Sequence, residues 1–216
     1  MVQSLTRERP VQRVAKGEQT RDRIMDIAEA SVLEKGFAAT SIDEILFEAC
    51  ITKSGFFYHF RDKNDLALAL IERFRERNLS IFEENFARAD ELVEDPLQAF
   101  LLGLKLLAEI MAEVQTERPG CLVSTFVFQD QQFDGRVRQM LVDVIQVWCA
   151  QFLARLERVA EVHPPRVDIP LADLADMLMT VIDGGIIVSK ALQEPQIMAR
   201  QILAYRTFVR TVFLGT

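Results

Sequence analysis

The chain is poor in the residues that carry most enzyme chemistry. Among 216 residues it has two histidines, His59 and His163, and three cysteines, Cys50, Cys121 and Cys149. The histidines lie far apart, and no HExxH, GxSxG or Gly-rich phosphate loop occurs. A zinc hydrolase, a serine-nucleophile enzyme and a phosphate-cradling fold are therefore not written into it. An odd cysteine count, wide spacings and no CxxC exclude a disulfide framework and a zinc site. The thiols read as small apolar side chains. No catalytic residue, metal or cofactor is expected. Long apolar runs are missing as well. The best candidates, Leu97–Leu107 and Met177–Val188, are interrupted by Gln98, Lys105, Asp183 or glycines, short of the roughly 20 residues a membrane span needs. Met1–Lys16 is polar and Arg-rich, unlike a secretion signal. The expectation is a soluble, cytoplasmic, non-enzymatic protein with no membrane partner.

A basic surplus is the third thing lacking. Lys and Arg number 25 against 32 Asp and Glu, for a net charge of −7. Taken whole, that speaks against a polyanionic partner. Residues 1–63, however, hold ten basic and ten acidic groups and balance, so the entire −7 falls on the remainder. The acids of the first part sit mostly on its first two helical stretches. The bases gather at the start and at Lys53, Arg61 and Lys63.

No segment alternates apolar and polar residues with β-branched enrichment, so a sheet is not expected. Half the residues are apolar, enough for a sizeable core. The periodicity predicts an all-α chain of about nine helices. Residues 1–19 read as a flexible basic arm. A first helix spans about Thr20–Lys35 and stops at Gly36. A second opens at Ser41, whose pairing with Glu44 three residues on is the capping-box arrangement. Thr52 caps a third over Lys53–Tyr58, and Asp62 a fourth from Lys63 to about Phe86. Further helices are expected over Pro96–Gln115, Cys121–Gln129, Phe133–Glu161, Pro170–Leu192 and Pro195–Leu214, with a break at Pro119-Gly120.

Residues 41–60 carry the functional signal. Two short helices joined by a tight connector form a helix-turn-helix, in which the second helix enters the major groove by its N-terminal residues. Those residues are Thr52, Lys53, Ser54 and Gly55. The hydroxyls can bond several bases, and Lys53 can reach a guanine edge or a phosphate. Gly55 lets a groove come close to the backbone. Phe57 offers a ring to a thymine methyl, Tyr58 and His59 polar-tipped rings to the sugar-phosphate chain, and Lys63 stands where a helix start already favours an anion.

The run Thr20-Arg-Asp-Arg-Ile…Gly36-Phe37-Ala-Ala-Thr40-Ser41-Ile42…Thr52-Lys53-Ser54-Gly55-Phe56-Phe57-Tyr58-His59-Phe60-Arg-Asp-Lys63 resembles the N-terminal domain of TetR/AcrR-type transcriptional regulators. The likeness runs over about Thr20–Ile71, roughly a quarter of the chain. It implies an N-terminal DNA-binding domain over residues 20–66 and an effector-binding and dimerisation domain over residues 67–216. It further implies base contacts at Lys53, Ser54 and Phe57, backbone contacts at Ser41, Tyr58, His59 and Lys63, and core roles for Phe56 and Phe60. The connector usually carries glycine where this chain has Cys50. A left-handed backbone there costs a side-chain-bearing residue about 1 kcal/mol, so either the turn is altered or Cys50 carries the strain.

The family's members are homodimers paired through their last two helices, and they answer to small molecules. Here the stripe Leu174, Met177, Leu178, Val181, Ile182 leads into Gly184-Gly185, where another helix can approach closely. Candidate effector-lining residues are Phe100, Leu104, Met111, Cys121, Thr125, Phe126, Trp148, Phe152 and Met177, a largely apolar set. Asp183, a charge inside an apolar stretch, belongs to a pocket or an interface. The reading is a repressor that binds a palindromic double-stranded DNA operator as a homodimer and is released by a small, largely apolar effector. The alternative is a helical small-molecule-binding or interaction protein with lost or weak DNA binding, which Cys50 and the acidic balance favour.

Overall fold

The computed structural model describes residues 11–117 and 120–215. Among the described residues there are nine α-helices, one 3-10 turn and no strand. The chain divides into two compact units, one ending at Leu70 and one beginning at Ile71.

The smaller unit holds α1 (Val11–Lys35), α2 (Ile42–Glu48), α3 (Lys53–His59) and the start of α4 (Lys63–Leu92). The first helix opens at Val11, nine residues before the start expected at Thr20 and inside the arm expected over residues 1–19. From Val11 to Thr20 the chain has no proline, and its Gln, Arg, Ala, Lys and Glu residues outweigh the cost of Gly17. Residues 1–10 of that arm lie outside the described residues. Gly36 ends α1 with φ +86°, a backbone that favours glycine. Its carbonyl accepts from the hydroxyl of buried Thr40 at 2.9 Å. Ile24, Met25, Ala28, Val32, Phe37, Ile45, Ala49, Phe56, Phe60, Leu66, Ala67 and Leu70 are the buried apolar residues of this unit. Spacings of three and four along α1 and α2 put each helix's apolar residues on one face.

The larger unit takes in the rest of α4, then α5 (Pro96–Glu117), α6 (Leu122–Val127), the 3-10 turn Asp130–Gln132, α7 (Gly135–Val162), α8 (Leu171–Leu192) and α9 (Gln196–Leu214). Asp95 opens α5, its carboxylate accepting from the Gln98 N–H at 2.9 Å, and His163 holds the same carboxylate at 2.6 Å. These bonds keep the Asp95 carboxyl below its ordinary pKa, the Gln98 bond most and His163 next. Arg118 and Pro119 of the expected break lie outside the described residues.

The core of this unit is aromatic at its centre. Phe82 and Phe86 of α4 meet Phe152 of α7 at 5.0 and 6.4 Å between ring centroids, and Phe86 stacks on Phe100 of α5 at 5.8 Å. Arg155 lies over Phe86 at 4.4 Å and bonds Asp90 at 3.1 Å. Gly103 is needed here, because a Cβ would fall 2.3 Å from the Phe86 ring. Tyr205 of α9 is buried and donates its hydroxyl to the Leu174 carbonyl at 2.8 Å. The paired glycines of α8 differ. A Cβ at Gly185 would meet the backbone of Met198 on α9 at 3.0 Å, whereas one at Gly184 meets nothing within 4 Å.

Candidate nucleic-acid interface

The sequence builds the α2–α3 corner from its caps. Ser41 accepts from the Glu44 N–H at 3.1 Å, and Glu44 returns the bond to the Ser41 N–H at 3.2 Å. Lys35 of α1 clamps the same Glu44 carboxylate at 2.9 Å. These contacts draw the Glu44 carboxyl below its usual pKa, Lys35 contributing most. At the far end of α2, Cys50 takes φ +51°. The Cys50 N–H bonds the Phe47 carbonyl at 3.2 Å and the Ile51 N–H bonds the Leu46 carbonyl at 3.1 Å. This is the double bond of a helix end that turns through a left-handed residue, usually glycine. Cys50 therefore carries the strain; the turn is not altered.

Thr52 then opens α3, its hydroxyl accepting from the Gly55 N–H at 3.2 Å and sharing a bond with Ser54 Oγ at 3.0 Å. Phe56 and Phe60 are buried, with ring centroids 5.6 Å apart. They fix the opposite face outward. Thr52, Lys53, Ser54, Phe57 and Tyr58 are exposed on it, and Gly55 is half-buried. Tyr58 is 82 % exposed, the more telling because a tyrosine ring is costly to leave in water. A Cβ at Gly55 would meet only Thr52 Oγ1 at 3.4 Å and Ile51 Cβ at 3.7 Å, ordinary contacts. Nothing inside the unit requires glycine there.

His59 is half-buried and edge-on to Tyr58 at 5.0 Å. Burial, with help from Arg21, lowers its pKa, so at neutral pH it is a neutral imidazole with one N–H to give. Lys63 differs from the simple picture of an open cation. Its ammonium donates to the Phe37 carbonyl at 2.6 Å and lies 4.3 Å from the Phe37 ring, and burial lowers its pKa. Arg61 pairs with Asp65 at 3.2 Å. Lys53 is thus the cation that α3 itself turns to solvent.

One exposed residue escapes the sequence reading. Phe47 of α2 is 84 % exposed, off the buried positions Ile45 and Ala49. That phase was its only signal.

The nine residues expected around an effector are scattered in role. Phe100, Leu104 and Phe152 are buried core residues, with Met111, Cys121 and Trp148 packed against that core. Phe126 is buried and packs edge-on to Phe133 at 5.1 Å. Thr125 spends its hydroxyl on the Cys121 carbonyl at 2.9 Å, and Met177 is exposed. Two grooves of the larger unit, of 440 and 240 Å³, are lined by other residues. Asp183 is partly buried, accepts from Ser124 Oγ at 3.3 Å, and has its pKa raised by desolvation. No described helix is long and apolar enough to cross a membrane, and no cluster of metal-ligating side chains exists among the described residues.

Comparison with known proteins agrees with this geometry. Residues 24–70 match the model of the bacterial regulatory proteins of the tetR family. The chain is 32 % identical over 119 residues to the transcriptional regulator AcuR of Cereibacter sphaeroides, covering 53 % of this chain and 51 % of that protein. It is 27 % identical over 120 residues to the HTH-type transcriptional regulator AcrR of Shigella flexneri, covering 56 % and 53 %. It thus spans about half the length of the curated relatives it matches, and both are named as regulators, not enzymes. In fold it resembles the crystal structure of a regulatory protein TetR from Rhodobacter sphaeroides, with a TM-score of 0.73 at 23 % identity over 87 % of this chain and 97 % of that one. Residues 24–70 thus form a domain that matches the tetR family of bacterial regulatory proteins.

Proposed function

We propose that the chain is a sequence-specific DNA-binding transcriptional regulator, a homodimeric repressor of a palindromic operator that a small effector releases. The observation that carries this reading is the outward face of α3. Thr52, Lys53, Ser54, Phe57 and Tyr58 are exposed together, while Phe56 and Phe60 anchor the helix from behind. Hydroxyls and an ammonium at the start of a reading helix suit base edges. Tyr58, His59 and the Ser41 corner suit the sugar-phosphate chain, which positions without specifying.

The homodimer is supported by the exposed apolar residues of α8 and α9. Met177, Ile187, Val188, Leu192 and Leu203 are exposed, and Gly184 leaves open space on the same helix. Isologous pairing of such a face would give the two-fold symmetry that a palindrome mirrors. Effector release is supported by a larger helical unit, separate from α2 and α3, that carries grooves of 440 and 240 Å³.

The test is a gel shift with purified protein and the DNA upstream of its own gene. Sequence-specific, salt-sensitive binding that Lys53→Ala and Tyr58→Ala each weaken about tenfold is the expected result. Absence of specific binding by the folded wild-type dimer would remove the DNA-binding reading and leave the helical ligand-binding alternative.

A further inference from the structure

A groove of 440 Å³ runs between α4 and α5, wholly within the larger unit. Its volume is in the range of small-molecule sites. Ile81 of α4 and Leu106 and Ile110 of α5 give it half-buried apolar walls. Glu84, Glu109 and Glu113 stand exposed around it against one cation, Arg88. Glu84 accepts from Ser80 at 2.8 Å, and Glu109 has Lys105 at 3.7 Å. Both partners are exposed, so they neutralise the acidic rim only weakly.

Carboxylates on a helical surface carry no site by themselves. The second observation is Asn85, which lines the same groove and is only 5 % exposed. It interrupts the apolar series Phe82, Phe86, Ala89 on α4, where any aliphatic residue would avoid burying an amide. Its Nδ2 donates to the Gly103 carbonyl at 3.0 Å, which fixes the amide's orientation. Its Oδ1 is buried with no hydrogen-bond partner. A buried acceptor left unmet costs about 1–3 kcal/mol, and such groups in native proteins call for a reason.

We infer that the α4–α5 groove binds a small amphipathic organic ammonium, its N–H meeting Asn85 Oδ1, its charge facing the glutamates and its hydrocarbon part lying on Ile81, Leu106 and Ile110. The acceptor demands a hydrogen-bond donor. The rim prefers a cation. The walls take a short apolar body. The inference rests on the proposed function only for its consequence at the operator, not for the binding itself.

The experiment is calorimetric titration of the full chain with n-hexylammonium, run beside hexyltrimethylammonium, hexanol and hexanoate. Saturable binding of one n-hexylammonium per chain is expected, with affinity at least about tenfold above that for the trimethyl cation, which has the charge but no N–H. Hexanoate should not bind. Glu113→Gln, a surface change that leaves the core intact, should weaken n-hexylammonium severalfold, and Asn85→Leu should abolish the preference for the N–H donor while circular dichroism shows the fold kept. Equal affinity for the two cations, or no saturable binding of n-hexylammonium, overturns the proposal. Either result leaves the gel shift without ligand untouched, so the two readings fail separately.

Discussion

Two residues on either side of the α2–α3 turn use glycine's properties in opposite senses. Gly55 stands in a helix where its own unit has room for a methyl group. Helical glycine costs about 1 kcal/mol against alanine, so folding alone would favour the substitution. Gly55→Ala should raise stability by about 0.5–1 kcal/mol and weaken specific DNA binding about tenfold or more. Urea denaturation and a gel shift on one preparation measure both. Unchanged affinity would show that no groove comes close to this backbone. Cys50 is the reverse case, a side chain at φ +51°. Cys50→Gly should stabilise by about 1 kcal/mol and leave DNA affinity unchanged, since the turn keeps both of its closing hydrogen bonds. A loss of stability would mean that the thiol's own packing outweighs the strain.

At the scale of elements, the two glycines of α8 differ in what packs on them within the chain, and the proposed homodimer would place a second copy against Gly184. Gly185 faces Met198 so closely that a Cβ would stand 3.0 Å from its Cα and Cγ, a contact that forces Met198 or α9 to shift. Gly185→Ala should therefore destabilise the chain by about 1–3 kcal/mol, the usual cost of overpacking. Gly184→Ala meets open space within the chain and should stabilise the isolated subunit while weakening the dimer. Thermal melts and analytical ultracentrifugation distinguish the two. If Gly184→Ala leaves the dimer as tight as before, α8 does not bring this position against a second copy. Elements were legible because their signals are local. The Ser41–Glu44 cap, the Thr52 cap and the Gly36 stop are contained within a few residues, and the structure places them where the pattern does. The start of α1 was less legible because Val11–Thr20 has only Val11, Val14 and Ala15 as apolar residues, so periodicity says little and propensity carries the reading. For the residues expected around an effector, the sequence could not separate a pocket wall from core. Phe100, Leu104 and Phe152 line a core or a cavity with the same composition, and only packing decides which. Asn85 left one trace, a polar residue in phase with Phe82 and Phe86, which marks a buried amide but not the groove beside it.

At the scale of the whole molecule, the question is how an acidic chain would hold DNA. Salt dependence answers it, because each neutralised phosphate contributes about −0.9 to the slope of log K against log salt. The structure reduces the cations that α1, α3 and α4 can offer. Lys35 is engaged with Glu44, Arg61 with Asp65, and Lys63 with the Phe37 carbonyl. Tyr58, Ser41 and neutral His59 can bond phosphates while releasing few counterions. For the proposed homodimer, about two charge-neutralised phosphates per subunit would give a slope of about −4, far shallower than that of a strongly basic protein. Lys53→Ala then has two distinguishable outcomes. If Lys53 meets a phosphate, the slope falls by about 2 per dimer and binding weakens alike on all sequences. If it reads a base, the slope holds and discrimination at one operator position relaxes. A wild-type slope steeper than about −8 would show that cations now held inside the unit, Lys63 first among them, swing out to the DNA.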